Sequence, residues 1–316
     1  MSVRICFTVS SSHTHPLRLW RPGIADEASL SLPENGLLVS PEDPVGVGVL
    51  VLLGSSGRMD LDRARLLAQH GAHAIALQWF GGPDQAPGVC EIPLEVFVRA
   101  IDRLHEEGIT KCAVIGLSKG AEAGLLLACI DDRIDLTVAM SPSSVVWGNV
   151  GPGLDGVSVP YRSSWTWRGE PLPFVTYDEL WTPEEPEWPV SYRTLYEESI
   201  RLDPEASAAA AIPIEEARSD VVLVAGHDDQ VWPSVEFAKA LAARRLAHDG
   251  QIEVLLSDDA GHSPIFPGQP PQSPSAHINR GGTPQADAKL GERTWNAIVG
   301  RLSLHEGSQP AFRAEA

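Results

Sequence analysis

Ser118 lies in Gly116-Leu117-Ser118-Lys119-Gly120, a G-x-S-x-G pentapeptide whose residue types suit a raised nucleophile. Residues 112–115 before it are apolar and partly β-branched, which predicts a buried strand. Residues 121–130 after it are rich in Ala and Leu, which predicts a helix. Strand, glycine-flanked turn and helix is the context that holds such a serine up at the end of a sheet. Bulky side chains at 116 and 120 would clash in so tight a turn. The helix N-terminus then turns free N–H groups and a positive dipole end toward the reacting centre. In a chain with 28 glycines the pentapeptide alone says little, so the weight falls on the acid and the base that must partner it.

A serine hydroxyl barely ionises at neutral pH, so it needs a general base, and the base needs an acid to hold its tautomer. Both come in the order acid, then histidine, each after a predicted strand. Residues 221–224 read as a strand and lead into Gly226-His227-Asp228-Asp229-Gln230-Val231-Trp232-Pro233. Residues 252–256 read as the next strand and lead into Ala260-Gly261-His262. Between 229 and 262 there is room for one helix and one strand. Asp229 is the expected acid, because Gly226 and Pro233 place it at the tip of the turn. Asp228 reads as a turn residue bonding nearby backbone N–H groups. Of the ten histidines, His262 alone follows a strand and a glycine at this place in the order. His227 sits too close to the acid to reach both it and Ser118.

Attack on a carbonyl builds negative charge on its oxygen, which backbone N–H groups must already face. The expected donors are the N–H of Lys119 and one from the loop after the strand at 47–53, Gly54-Ser55-Ser56-Gly57. Ser55 is the first choice there and Ser56 the second. The Lys119 side chain leaves the turn on the helix side, which gives it a structural or solvated role.

Four stretches must position these groups. Residues 1–45 are short β-like runs broken by Pro22, Pro33, Pro41 and Pro44, an antiparallel edge for the main sheet. From 46 to 141, and again from 213 to 304, strands and helices alternate: helix 61–69, strand 72–78, helix 93–107, the Ser118 unit, strand 134–140, and a last helix at 286–302. That rhythm predicts an α/β fold, a mostly parallel central sheet with helices on both faces. Ligands of such sheets bind at the carboxyl ends of the strands, where Ser55, Ser118, Asp229 and His262 all fall. Residues 142–212 break the rhythm and read as a lid or cap, with a helix at 192–200. They hold five of the nine tryptophans, which either line an acyl pocket or pack the cap onto the core.

Composition closes several alternatives. With 42 acidic and 24 basic residues the net charge is −18, which argues against nucleic acid and against steering to anionic membranes. A carrier rich in phosphate would need a local basic patch, and none stands out. No run approaches 18 apolar residues, so no membrane span is expected. The four cysteines form no C-x-x-C pair, and they fit reduced thiols in a cytoplasmic protein. His13 and His15 lack neighbouring ligands, so no metal is expected, and no cofactor either. The sequence is compatible with a homo-oligomer.

The Ser118 turn through Ala121-Glu122, the stretch Gly226 to Ser234 and the Gly261-His262 loop resemble the C-terminal catalytic domain of the acyl-CoA thioesterase and bile-acid-CoA:amino-acid N-acyltransferase family. Gly81 after Trp79-Phe80, Ser141-Pro142-Ser143 and Gly281-Gly282-Thr283-Pro284 also fit its bacterial members. The resemblance covers residues 45–303, with dienelactone hydrolases as near relatives. It implies an α/β-hydrolase fold and acyl transfer from a thioester through a covalent acyl-enzyme, with Ser118 as nucleophile, Asp229 as acid and His262 as base. Animal members carry a β-sandwich domain ahead of the catalytic one, which residues 1–45 are too few to hold. Amide-forming members use Cys where this chain has Ser118, which favours water as acceptor. The expected substrate is a small-molecule acyl thioester. The alternatives are an ester, lactone or peptide substrate, acyl transfer to an amine or alcohol, and a non-catalytic binding protein on the same scaffold.

Overall fold

The structure, a computed structural model, describes residues 23–31, 35–159, 161–185 and 188–305. Cys6, His13, His15 and most of the expected N-terminal edge lie outside these residues. What is described of that edge is an antiparallel pair, β1 (Ile24–Ser31) and β2 (Asn35–Pro41).

The alternating segment continues as β3 (Val47–Leu52), α1 (Leu61–Gln69), β4 (Ala72–Gln78), a two-residue strand β5 (Ile92–Pro93), α2 (Glu95–His105), β6 (Lys111–Leu117), α3 (Lys119–Ile130) and β7 (Leu136–Met140). Residues 142–212, the stretch expected to be a cap and called so below, contribute β8 (Trp165–Trp167), β9 (Glu170–Pro171), α4 (Arg193–Leu202) and α5 (Pro204–Ala209). After it come β10 (Asp220–Gly226), α6 (Ser234–Leu246), β11 (Glu253–Ser257) and α7 (Pro284–Leu302). The main sheet runs β1-β2-β4-β3-β6-β7-β10-β11. From β4 to β11 every neighbouring pair is parallel.

Side chains alternate across a strand, and here both faces are covered. Leu50 and Leu52 of β3 join the core beneath α2, α3 and α6. Val49 and Val51 join the opposite core beneath α1 and α7. All six residues of β3 are buried, which is why that strand reads as a continuous apolar run. The carboxyl ends of β3, β6, β10 and β11 therefore emerge from a rigid slab at one edge.

Two expectations are corrected. The helix expected from 93 begins at Glu95, because Ile92 and Pro93 pair with a cap strand instead. The Ile92 and Leu94 N–H groups donate to the Ser164 and Thr166 carbonyls, so long-range pairing overrides the local helical pattern. Inside the cap, the helix expected at 192–200 is α4, and a second helix, α5, comes directly after it. Its signal was in the sequence: Asp203 caps the Ala206 N–H and Pro204 opens the first turn. In the cap, β8 and β9 form a small sheet with β5.

Among the described residues no helix is long and apolar enough to cross a membrane. Cys90, Cys112 and Cys129 are free thiols, and burial pushes Cys112 and Cys129 up to about 12.

Candidate active site

Ser118 follows β6 and precedes α3, with φ 57° and ψ −122°. A residue with a side chain rarely adopts this left-handed backbone, and holding it there costs about 1–3 kcal/mol. The flanking glycines explain how the turn closes. A Cβ at Gly116 would run into the Gly120 carbonyl, and one at Gly120 into the Leu52 and Leu53 carbonyls of the neighbouring strand. Gly120→Ala is therefore expected to destabilise the fold by about 1–3 kcal/mol, read from urea unfolding midpoints. Gly300→Ala, on α7 where a Cβ meets nothing within 4 Å, should instead gain up to about 1 kcal/mol.

Gly54 brings the loop after β3 against the serine: a Cβ there would lie 3.0 Å from the Ser118 Cβ and 3.4 Å from its Oγ. The Ser56 N–H already donates to the Gly54 carbonyl at 2.8 Å, which leaves Ser55 as the better placed of the two candidates. No acceptor among the described residues takes the N–H of Ser55 or of Lys119. Both are thus available to a ligand oxygen.

Asp229 is completely buried after β10, and His262 is 6% exposed after β11. The His262 Nδ1 lies 3.0 and 2.9 Å from the two Asp229 carboxylate oxygens. Asp229 Oδ1 also accepts the Val231 N–H at 2.9 Å and the Trp232 N–H at 3.3 Å, so the turn itself aims the carboxylate. Asp228 points elsewhere. It accepts from the Gln230 side chain at 2.8 Å and from the Gly282 N–H at 2.7 Å. His227 is partly exposed and faces Asp258.

No hydrogen bond joins the imidazole of His262 to the Ser118 hydroxyl among the described residues. Their backbones are tied through a third strand end. The Ser118 N–H donates to the Met140 carbonyl at 2.9 Å, and the next residue, Ser141, donates its Oγ–H to the His262 carbonyl at 2.8 Å. Trp232 touches both Ser141 and His262. Its Nε1–H donates to the Ser141 carbonyl at 3.2 Å, and its ring meets the His262 ring edge-on at 5.7 Å.

Several residues at the site had no local signature. Asp287, in the first turn of α7, takes the Gly261 N–H at 2.8 Å with its side chain and the Ile265 N–H with its carbonyl, clamping the histidine loop from both sides. Burial pushes its carboxyl above the usual range, against the Gly261 bond, and the Asp228 and Asp229 charges add to the rise. Arg193 of α4 donates to the His227 and Asp229 carbonyls at 3.0 and 3.2 Å, fastening the cap to the acid turn. Lys119 turns its side chain inward to an ion pair with Glu122 at 2.7 Å, so its role is structural and it is not solvated. Of the cap tryptophans, Trp147 and Trp165 are fully buried packing residues, whereas Trp188 is 61% exposed.

A cavity of about 460 Å³ opens beside the histidine loop, walled in part by Asp228, Ser263, Gln272, Arg280 and Asp287. Ser118 does not line it. Arg280 donates from its guanidinium to the Ser273 carbonyl at 3.1 Å. Burial lowers the Arg280 pKa and the Arg58 charge lowers it further.

Residues 92–307 match the family model described as BAAT / Acyl-CoA thioester hydrolase C terminal. The chain belongs to this family. The human relative acyl-coenzyme A thioesterase 6 is 27% identical over 296 residues, covering 88% of this chain and 65% of that protein. Rat acyl-coenzyme A amino acid N-acyltransferase 2 is 26% identical over 279 residues, covering 84% of this chain and 56% of its own length. The chain thus spans less than two thirds of either relative. A candidate dienelactone hydrolase from Klebsiella pneumoniae superposes with a TM-score of 0.52 at 12% identity, covering 88% of this chain and 98% of its own. That likeness is one of fold, and the fold is α/β-hydrolase-like. The BAAT / acyl-CoA thioester hydrolase match begins at β5 and takes in Ser118, Asp229 and His262.

Proposed function

We propose that this protein hydrolyses an acyl thioester through Ser118, His262 and Asp229. The observation that carries the reading is the buried Asp229 carboxylate against His262 Nδ1, at the same sheet edge where Ser118 stands on left-handed backbone. With Nδ1 held by Asp229, Nε2 is the basic nitrogen. It takes the Ser118 proton as Oγ attacks the acyl carbonyl carbon. The oxyanion forms against the N–H groups of Ser55 and Lys119, each worth about 3–4 kcal/mol of transition-state stabilisation. The C–S bond then breaks, and His262 returns the proton to the leaving thiolate. Water, deprotonated by His262, attacks the acyl-enzyme and frees the acid and Ser118. Catalytic hydrogen bonds often tighten only once substrate is bound, which is where the bond from Ser118 to His262 forms.

Intact-mass measurement after brief exposure to an acyl-CoA and acyl-pantetheine library tests this. A mass gain equal to the acyl group, located on Ser118, supports the mechanism. Turnover of p-nitrophenyl esters without turnover of any thioester would turn the reading to an esterase.

Arg280, in the wall of the cavity beside the histidine loop, is the basic group offered to a phosphate-bearing carrier. Arg280→Ala is expected to raise KM for an acyl-CoA about tenfold and to leave KM for the matching p-nitrophenyl ester unchanged, since one lost charged hydrogen bond is worth about 1.5–3 kcal/mol. A second reading is acyl transfer to an amine, which the rat N-acyltransferase relative favours. Product analysis with and without an amino acid acceptor separates the two. The free thiols of Cys90, Cys112 and Cys129 suit the reducing cytoplasm, where we place the protein.

A further inference from the structure

Glu122 has no exposed surface and lies in the first turn of α3, four residues after Ser118. Its carboxylate receives four hydrogen bonds. Lys119 Nζ donates to Oε1 at 2.8 Å and to Oε2 at 2.7 Å. Two more come from the cap: the Trp147 backbone N–H at 3.1 Å and the Trp165 Nε1–H at 2.7 Å, both to Oε1.

Each partner leads to a different part of the site. Lys119 carries the backbone N–H placed beside the nucleophile, and its ammonium lies 5.3 Å from the Trp165 ring centre. Trp165 packs on Trp79 at 5.2 Å and on Phe97 at 5.9 Å, anchoring the cap to the residue after β4 and to α2. Trp147 meets Tyr196 of α4 at 4.7 Å, Tyr196 meets Trp232 at 5.4 Å, and Trp232 meets His262. One carboxylate is therefore where the nucleophile turn, two separate cap segments and the ring path to the base converge.

A buried carboxylate paired with a single lysine still has acceptor sites to satisfy. Here the cap satisfies them. Lifting the cap would strip Oε1 of both neutral donors and leave a charged oxygen short of partners in a low-dielectric interior. Burial also lowers the Lys119 pKa against the pull of Glu122, so the cation depends on that carboxylate for its charge.

We propose that Glu122 is a positioning residue that registers the cap on the nucleophile turn, so that the Lys119 N–H and the seating of Trp147 and Trp165 are set together. This rests on reading Ser118 as the nucleophile.

The test uses the full chain as Glu122→Gln, Lys119→Met and the double variant. In Glu122→Gln, hydrogen–deuterium exchange should rise together in peptides covering 117–124, 145–150 and 163–168, with β3 and β10 unchanged. Its kcat on a thioester should fall about tenfold to a hundredfold, as expected for a small misplacement of reacting groups, with KM within about threefold. The double variant removes the unpaired ammonium and should regain the thermal stability lost in Glu122→Gln, while kcat stays low. Recovery of kcat in the double variant would reduce Glu122 to a counter-ion and overturn the proposal. So would faster exchange in the cap with the 117–124 peptide still protected. Failure of a fluorophosphonate to label Ser118 in the wild-type protein would instead count against the nucleophile reading, and the exchange measurement would still decide the coupling.

Discussion

Ser118→Ala is expected to lower kcat on an acyl thioester by about 10⁵–10⁶-fold, leaving only what binding and the oxyanion donors supply. The chemistry has no substitute nucleophile at the turn. Ser55, in the loop after β3, is the proposed source of a backbone donor, and Ser141 already donates its hydroxyl to the His262 carbonyl. The fold should survive. Alanine is the smaller residue and inherits the same left-handed backbone, so the strain already present at 118 neither grows nor disappears. Thiol release measured with a chromogenic disulfide gives the rate, and circular dichroism gives the melting temperature. A variant that keeps more than a tenth of the activity would rule out Ser118 as the nucleophile.

Asp229→Asn is expected to cost about 10⁴-fold in kcat with the structure intact. The reason lies in how the carboxylate is held. Oδ1 accepts the Val231 and Trp232 N–H groups, so an asparagine there keeps its carbonyl oxygen in that position. Its NH₂ then occupies the site of Oδ2, 2.9 Å from the His262 Nδ1, and presents a donor where an acceptor stood. Oδ1, 3.0 Å from Nδ1 but already taking two N–H groups, is then the one acceptor left and carries no charge, so the tautomer with its proton on Nε2, which cannot take one from Ser118, gains and the imidazolium loses its counter-charge. Asp228→Asn is the paired control. Asp228 bonds Gln230 and Gly282 and does not touch the imidazole, so its loss should stay below about tenfold. A large loss at 228 and a small one at 229 would reverse the assignment.

Much of this was legible because the relevant patterns are local. The strand at Ala72–Gln78 and the helix at Leu61–Gln69 match their expected limits, since their apolar spacing and closing glycine, Gly71, act over a few residues. Where a short segment is claimed by a distant partner, the local pattern loses. Pro93 looks like the start of a helix and, with Ile92, becomes a strand because Trp165 and Thr166 offer a ladder. The cap gave the weakest local signals, as expected for a region whose order comes from buried tryptophans rather than from periodicity.

The sequence by itself determined the order of the chemical groups, the glycine-bounded turn that lifts Ser118 and the strand ends that carry the aspartate and the histidine. Each of these depends on neighbours within one element. Only the tertiary structure decided which aspartate meets the imidazole, that Asp287 braces the histidine loop and that Glu122 joins the nucleophile turn to the cap. These are contacts between elements folded from remote stretches of chain. A side chain's partner across a packed interface is set by the geometry of the slab beneath it, which no spacing along the chain encodes.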